Sequence, residues 1–136
     1  MNIQADAVMR RRFGEGKLIA LATSSDNRPF VRAVNAYYEN GAFYIMTDAS
    51  TGKMKQIEAN PEVALCGELF NGRGNAVNIG HVLREEHREL MKTLRVVLAE
   101  WYEYGNVDEE DPNTVILKIE LTQATVIEDG KKYELI

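Results

Sequence analysis

Thr47-Asp48-Ala49-Ser50-Thr51-Gly52-Lys53-Met54-Lys55-Gln56-Ile57-Glu58-Ala59-Asn60-Pro61 sets hydroxyls, two lysines and an amide where a strand gives way to a short helix. The preceding run, Ala42-Phe43-Tyr44-Ile45-Met46, has the aromatic and β-branched composition of a strand. Ser50 or Thr51 is suited to cap the helix, Met54 and Ile57 give it one apolar stripe, and Asn60-Pro61 stops it. A helix start leaves backbone N–H groups without intrahelical partners and carries partial positive charge, so an anion is stabilised there with hydroxyl and lysine donors beside it. These residue types suit a phosphate. The same stretch also reads as an ordinary capped helix with solvated lysines.

On either side, turn signals divide the chain into short apolar runs at hairpin spacing. Lys17 to Thr23 and Phe30 to Tyr38 flank Ser24-Ser25-Asp26-Asn27, and Asn40-Gly41 turns into Ala42 to Thr47, the strongest hairpin signal present. Val63 to Phe70 reaches Asn71-Gly72-Arg73-Gly74, read as a turn, and returns as Ala76 to Leu83; Thr114 to Ile127 is followed by Asp129-Gly130 and the returning tail Lys131 to Ile136. From Arg84 to Tyr104 the pattern changes. Leu83, His87, Leu90, Leu94, Val97, Leu98 and Trp101 recur at helical spacing and predict one long amphipathic helix ended by Gly105. A short first helix carries Ala5, Val8 and Met9, with Arg10-Arg11-Arg12 at its C-terminal end, where positive charge suits the dipole. The expected class is mostly β with helices: a small antiparallel barrel of six or seven strands with two or three helices.

The 136 residues predict one domain, 1–136, large enough to bury a core without metal or disulfide support. The single cysteine, Cys66, lies in Val63-Ala64-Leu65-Cys66 and is expected to be a small buried side chain rather than a nucleophile, in a reducing cytoplasmic setting. Met1 to Asp6 lacks a basic and apolar leader, and no apolar run approaches membrane-spanning length, so no membrane association or export is expected. A net charge of −5 argues against nucleic acid as a partner, and the acidic run Asp108-Glu109-Glu110-Asp111-Pro112 is read as a solvated loop. His81 and His87, the only histidines, have no companion at metal-ligand spacing, so no zinc site is read, and both take structural roles in this reading. Neither a Gly-x-Ser-x-Gly elbow nor a Gly-x-Gly-x-x-Gly turn is present, which removes the minimum signatures of hydrolase and Rossmann chemistry.

Two blocks carry a family likeness. One is Arg28-Pro29-Phe30-Val31-Arg32-Ala33-Val34-Asn35; the other is Phe43-Tyr44-Ile45-Met46-Thr47-Asp48 continuing through Ser50, Lys53, Gln56, Ile57, Asn60 and Pro61. In their order, their spacing and the Asn-Gly hairpin between them, the chain resembles the FMN-binding split-barrel proteins related to pyridoxamine 5′-phosphate oxidase, especially the small stress-protein-like members. The resemblance implies a six- to seven-stranded split β-barrel and a flavin phosphate held by Arg32 and Lys53, with Thr51 and the helix start as further donors. It also implies that Ala33, Val34 and Asn35, and Met46, Thr47 and Asp48, run along the ring and ribityl chain, and that Gln56 reaches the flavin from the helix. Against it stands the plain reading of Arg32 as a surface strand residue paired with an acid such as Glu39.

The family further implies a homodimer with two flavin sites between subunits. Trp101 is read as a core or interface anchor, outside the site. The oxidases carry a C-terminal Arg-x-His pattern where this chain ends Lys131-Lys132-Tyr133-Glu134-Leu135-Ile136, so pyridoxamine 5′-phosphate is not the expected substrate. Relatives bind the deazaflavin F420 or haem instead of FMN, and these remain alternatives for the cofactor. The leading expectation is an FMN-dependent oxidoreductase passing electrons or hydride between a small-molecule donor and acceptor, with no acid, base or nucleophile assigned. A flavin-binding or sensing protein without turnover is the alternative. A barrel for single-stranded nucleic acid is disfavoured by the acidic balance.

Overall fold

The computed structural model describes residues 1–136 as four α-helices and seven strands. The strands are β1 (Lys17–Ser25), β2 (Arg28–Glu39), β3 (Ala42–Asp48), β4 (Glu62–Gly67), β5 (Phe70–His81), β6 (Thr114–Glu128) and β7 (Lys131–Glu134); the helices are α1 (Ile3–Phe13), α2 (Gly52–Ala59), α3 (Arg88–Val97) and α4 (Ala99–Glu103). Every pairing is antiparallel, in the order β3-β2-β1-β4-β5-β6-β7, and β3 also pairs with β6 to close a six-stranded barrel. Three of the hairpins turn through residue pairs with positive φ, Asp26-Asn27, Asn40-Gly41 and Asp129-Gly130. Turns of that hand match the twist of the strands they join.

The closure is uneven. β2 lies against β1 over nine positions, Lys17↔Ala36 to Ser25↔Arg28, but meets β3 at only three, Tyr37↔Tyr44 to Glu39↔Ala42. β3 instead follows β6 over seven positions, Ala42↔Glu120 to Asp48↔Thr114. The two strands therefore part beyond the Asn-Gly hairpin and leave a cleft between Arg32–Asn35 and Ile45–Asp48.

Alternation along the strands feeds two cores. Phe43 and Ile45 of β3 and Val115, Leu117, Ile119 and Leu121 of β6 point into the barrel with Met9 and Phe13 of α1 and Met54 and Ile57 of α2. Met46 and Ile116 point the other way and pack, with Tyr37, against Met91, Leu94 and Leu98. Tyr38 donates to the buried Asp6 at 2.6 Å and accepts from the Gly41 N–H at 3.0 Å, fixing α1 to the β2–β3 hairpin. The basic end of α1 is tied down too: Arg12 donates to the carbonyls of Glu68 and Ile127.

Three sequence expectations are corrected. Asn71 to Gly74 is not a turn; β4 and β5 join at Glu68-Leu69, and the two glycines lie inside β5. There β6 presses close. A Cβ on Gly72 would stand 2.8 Å from the Gln123 carbonyl oxygen, and one on Gly74 would stand 2.5 Å from that of Glu120, beside a register shift between Arg73 and Gly74. Glycine marks a bulge with close backbone approach here. Cys66 is exposed, because Val63 and Leu65 take the inward places of β4 and the period of two turns the cysteine out. The predicted long helix is a 3₁₀ turn at Glu85–His87, then α3, a break at Leu98 (φ −110°, ψ 26°), and α4. The break follows the β-branched pair Val96-Val97 and swings Trp101 and Tyr102 onto the outer core. No helix is long and apolar enough to cross a membrane.

The glycine geometry predicts a contrast. Gly74→Ala, with no room for a Cβ, lowers the urea midpoint clearly, whereas Gly52→Ala meets nothing within 4 Å and leaves stability unchanged or raises it by up to about 1 kcal/mol. Equal midpoints for the two variants in urea unfolding would contradict the bulge assignment.

Candidate functional site

The cleft where β2 and β3 part holds about 210 Å³. Arg32, Ala33, Val34 and Asn35 form one wall and Met46, Thr47 and Asp48 the other, with Lys53 reaching in from α2. Eight of the ten residues singled out in the sequence thus line one space. The other two stand behind it. Gln56 accepts from Arg32 at 3.2 Å and from the Thr23 hydroxyl at 2.6 Å, and Thr51 sits at the N-cap of α2 with its hydroxyl donating to the Asp48 carbonyl at 3.0 Å.

Arg32 does not pair with Glu39. Its guanidinium is clamped on neutral acceptors, the Thr23 hydroxyl at 2.8 Å, Gln56 and the Leu21 carbonyl at 3.3 Å. Lys53 donates to the Thr47 hydroxyl at 2.7 Å. Neither cation has a carboxylate within 4 Å in any ion pair of the fold. Burial, and then the nearby Arg32 charge, hold the Lys53 ammonium below its ordinary value, with Asp48 offsetting part of the effect. Asp48 is itself engaged: its carboxylate accepts from the Ser50 N–H and hydroxyl, which holds it below the usual carboxylate range. Two neighbouring cations outside any ion pair stand beside a helix that has no side-chain cap and no acid in its first turn, a charge arrangement that suits an anion.

Ile45, Trp101 and Asn106 complete the lining and are not among the sequence candidates. The helical period locates Trp101 on the apolar stripe but carries no sign of the break that brings it to the cleft. Nothing in the local sequence marks Asn106, whose N–H bonds the Trp101 carbonyl at 3.1 Å. The acidic loop is also more than solvated. Glu109 accepts from Arg95 at 2.9 and 3.0 Å and from the Tyr102 hydroxyl, and Arg95 holds its carboxyl below the usual range.

Both histidines are spoken for within the fold. His81 Nδ1 accepts from the Leu83 N–H at 3.0 Å while its Nε2 faces the Asp111 carbonyl, and the buried His87 faces the Ile79 carbonyl at 2.8 Å. No group of three or more His, Cys, Asp or Glu side chains is arranged to hold a metal ion.

Residues 5–128 match the family model described as Pyridoxamine 5′-phosphate oxidase. The chain belongs to this family. Proteins of known structure share its fold over nearly the whole length. General stress protein 26 of Bacillus anthracis superposes with a TM-score of 0.68 at 21% identity, covering 98% of this chain and 100% of its own. A Mesorhizobium loti protein described as FAD-binding gives 0.69 at 15% identity, covering 91% and 92%. A Nostoc punctiforme protein described as pyridoxamine 5′-phosphate oxidase-related and FMN-binding gives 0.56 at 16%, covering 98% and 94%. At such identities these likenesses speak for the fold alone. No curated protein matches the sequence.

The unpaired cations generate a prediction for the ligand-free protein. A lysine whose pKa is depressed on folding costs stability wherever both states are protonated, and the cost fades as pH rises through the folded value. Lys53→Met is therefore expected to keep a ligand-free melting temperature at or above wild type at pH 7. A clear drop would show that Lys53 serves the fold instead.

Proposed function

We propose that the chain is an FMN-dependent oxidoreductase that works as a cytoplasmic homodimer. The observation that supports it best is the Arg32–Lys53 pair: two cations outside any ion pair, one on β2 and one in the first turn of α2, lining the cleft of a fold whose structural relatives include a protein described as FMN-binding. FMN, when bound, supplies the redox chemistry. The chain's residues do the holding. Arg32 offers a planar fork that Gln56 and Thr23 have already oriented, Lys53 offers a mobile charge, and Thr51 and the start of α2 supply further donors for the phosphate. Along β2 the edge from Arg32 to Asn35 has no strand partner on the cleft side, so its backbone groups and the Asn35 amide are available to a polar ring edge.

At 210 Å³ the cleft falls below the range of about 300–1,000 Å³ usual for cofactor sites. It would suit the phosphate and ribityl end, with the open edge of β2 up to Asn35 left to hold the ring. A second subunit is the natural cover. Phe30 and Val31, on the part of β2 that pairs with β1 but not with β3, are 40% and 70% exposed.

Removing one charge-assisted hydrogen bond costs about 1.5–3 kcal/mol, roughly a decade or more of affinity, so the Arg32→Ala, Lys53→Ala double variant should bind FMN at least about a hundredfold more weakly. Unchanged affinity in a fluorescence titration would reject the site. The pH dependence has a defined sign. A phosphate between the cations raises the Lys53 pKa, so binding takes up a proton once free Lys53 deprotonates; affinity should fall as pH climbs toward the ordinary lysine value of 10.5, and this fall should vanish in Lys53→Met. Turnover of the FMN-loaded protein with a non-phosphorylated dihydronicotinamide donor separates an enzyme from a flavin carrier, and sedimentation at micromolar concentration tests the dimer.

A further inference from the structure

A larger cavity, about 540 Å³, opens beside the cleft between the start of β1 and the α3–α4 junction. Asn35 and Trp101 line both spaces, so whatever lies in the cleft ends at the mouth of the second. Gly16 sets its floor: at φ +81° it lets β1 run so close to the junction that a Cβ would stand 2.6 Å from the Val97 carbonyl oxygen. The walls are aromatic and aliphatic, with Trp101 and Tyr104 joined by Leu18, Val97 and Leu98.

Charge separates the two spaces. The cleft carries Arg32 and Lys53, whereas the charged side chains lining the cavity are Glu15, Lys17 and Glu100. Lys17 is already matched, 3.0 Å from Glu68 and over the Phe13 ring. Glu15 and Glu100 form no ion pair in the fold. The cleft favours an anion; the cavity, with two free carboxylates and two aromatic side chains, favours the opposite.

We propose that this cavity binds the flavin's small-molecule partner, and that it admits flat aromatic molecules that are uncharged or cationic while disfavouring anionic and phosphorylated ones. This rests on the flavin reading of the cleft. Trp101 is the only tryptophan, so its indole N–H resonance is a single reporter at the boundary of the two spaces.

The test uses FMN-saturated protein and three probes with one ring system: 2-naphthylmethanol, 2-naphthylmethylammonium and 2-naphthoate. FMN titration comes first, and failure of wild type to bind FMN would overturn the flavin reading by itself. With FMN bound, the alcohol and the ammonium should shift the Trp101 indole signal to saturation. The ammonium should bind at least about threefold more tightly than the naphthoate at low salt, with the gap closing at high salt as expected for exposed charges. In Glu15→Gln, Glu100→Gln the gap should disappear. Ala99→Phe, at an exposed position on the cavity rim, should weaken all three probes while leaving FMN affinity unchanged. Naphthoate binding as tightly as the ammonium in wild type, or probe binding unaffected by Ala99→Phe, would overturn the proposal.

Discussion

The divided loyalty of β3 is the constraint on which the rest of the structure depends. Seven register pairs with β6 close the barrel, and three pairs with β2 are all that the Asn40-Gly41 hairpin retains. A β3 that followed β2 along its length would seal the space between them and leave β6 with an open edge. β6 is buried on both faces over Thr114–Leu117, where its pairing with β3 closes the barrel. The cleft is thus a by-product of closing the barrel. Its walls are backbone edges and side chains already held by the two strands that parted.

A cleft formed this way has its side chains set in place by the barrel itself. Arg32 is oriented before anything binds, since Thr23 and Gln56 are fixed on β1 and α2 and both face it. The cost falls on Lys53, half-buried beside a like charge: burial first, and then the Arg32 charge, hold its pKa down. An ordinary structural lysine would have been given an acid. Asp48 stands near enough to be one, yet its carboxylate is turned to Ser50, where it braces the turn into α2.

The barrel is legible in the sequence because its signals are local. Paired Asn-Gly and Asp-Gly turns and alternating apolar runs are short-range features, and they place the strands, the class and every hairpin but the one between β4 and β5. That one escapes because glycine serves turns and close strand contacts alike; whether Gly72 and Gly74 turn the chain or admit β6 depends on a strand far along the chain. The same limit governs the site. Arg32, Lys53 and the Thr47–Asp48 turn lie in two contiguous blocks whose spacing can be read, whereas Trp101 and Asn106 reach the cleft only through a helix break decided by packing. Cys66 defies its expectation for a simpler reason. A short apolar run suggests burial throughout, while the strand it forms buries only alternate residues.

The α4 wall shows how much of the site rests on contacts far from its chemistry. Five residues are too few to hold a helical turn in water, and α4 contains no fully buried residue of its own. It is held from two sides: Leu98 anchors its start in the outer core, and Tyr102 is clamped by Glu109, which Arg95 of α3 grips with two N–H groups. The Tyr102 hydroxyl also lies 3.4 Å from the Met46 sulfur, so the clamp reaches the cleft wall itself. Trp101 sits next to that clamp and borders both spaces. The acidic loop, the end of α3 and the β3 wall are therefore one mechanical unit, and the boundary between the cleft that carries Arg32 and Lys53 and the carboxylate-lined cavity is held by an ion pair that lines neither.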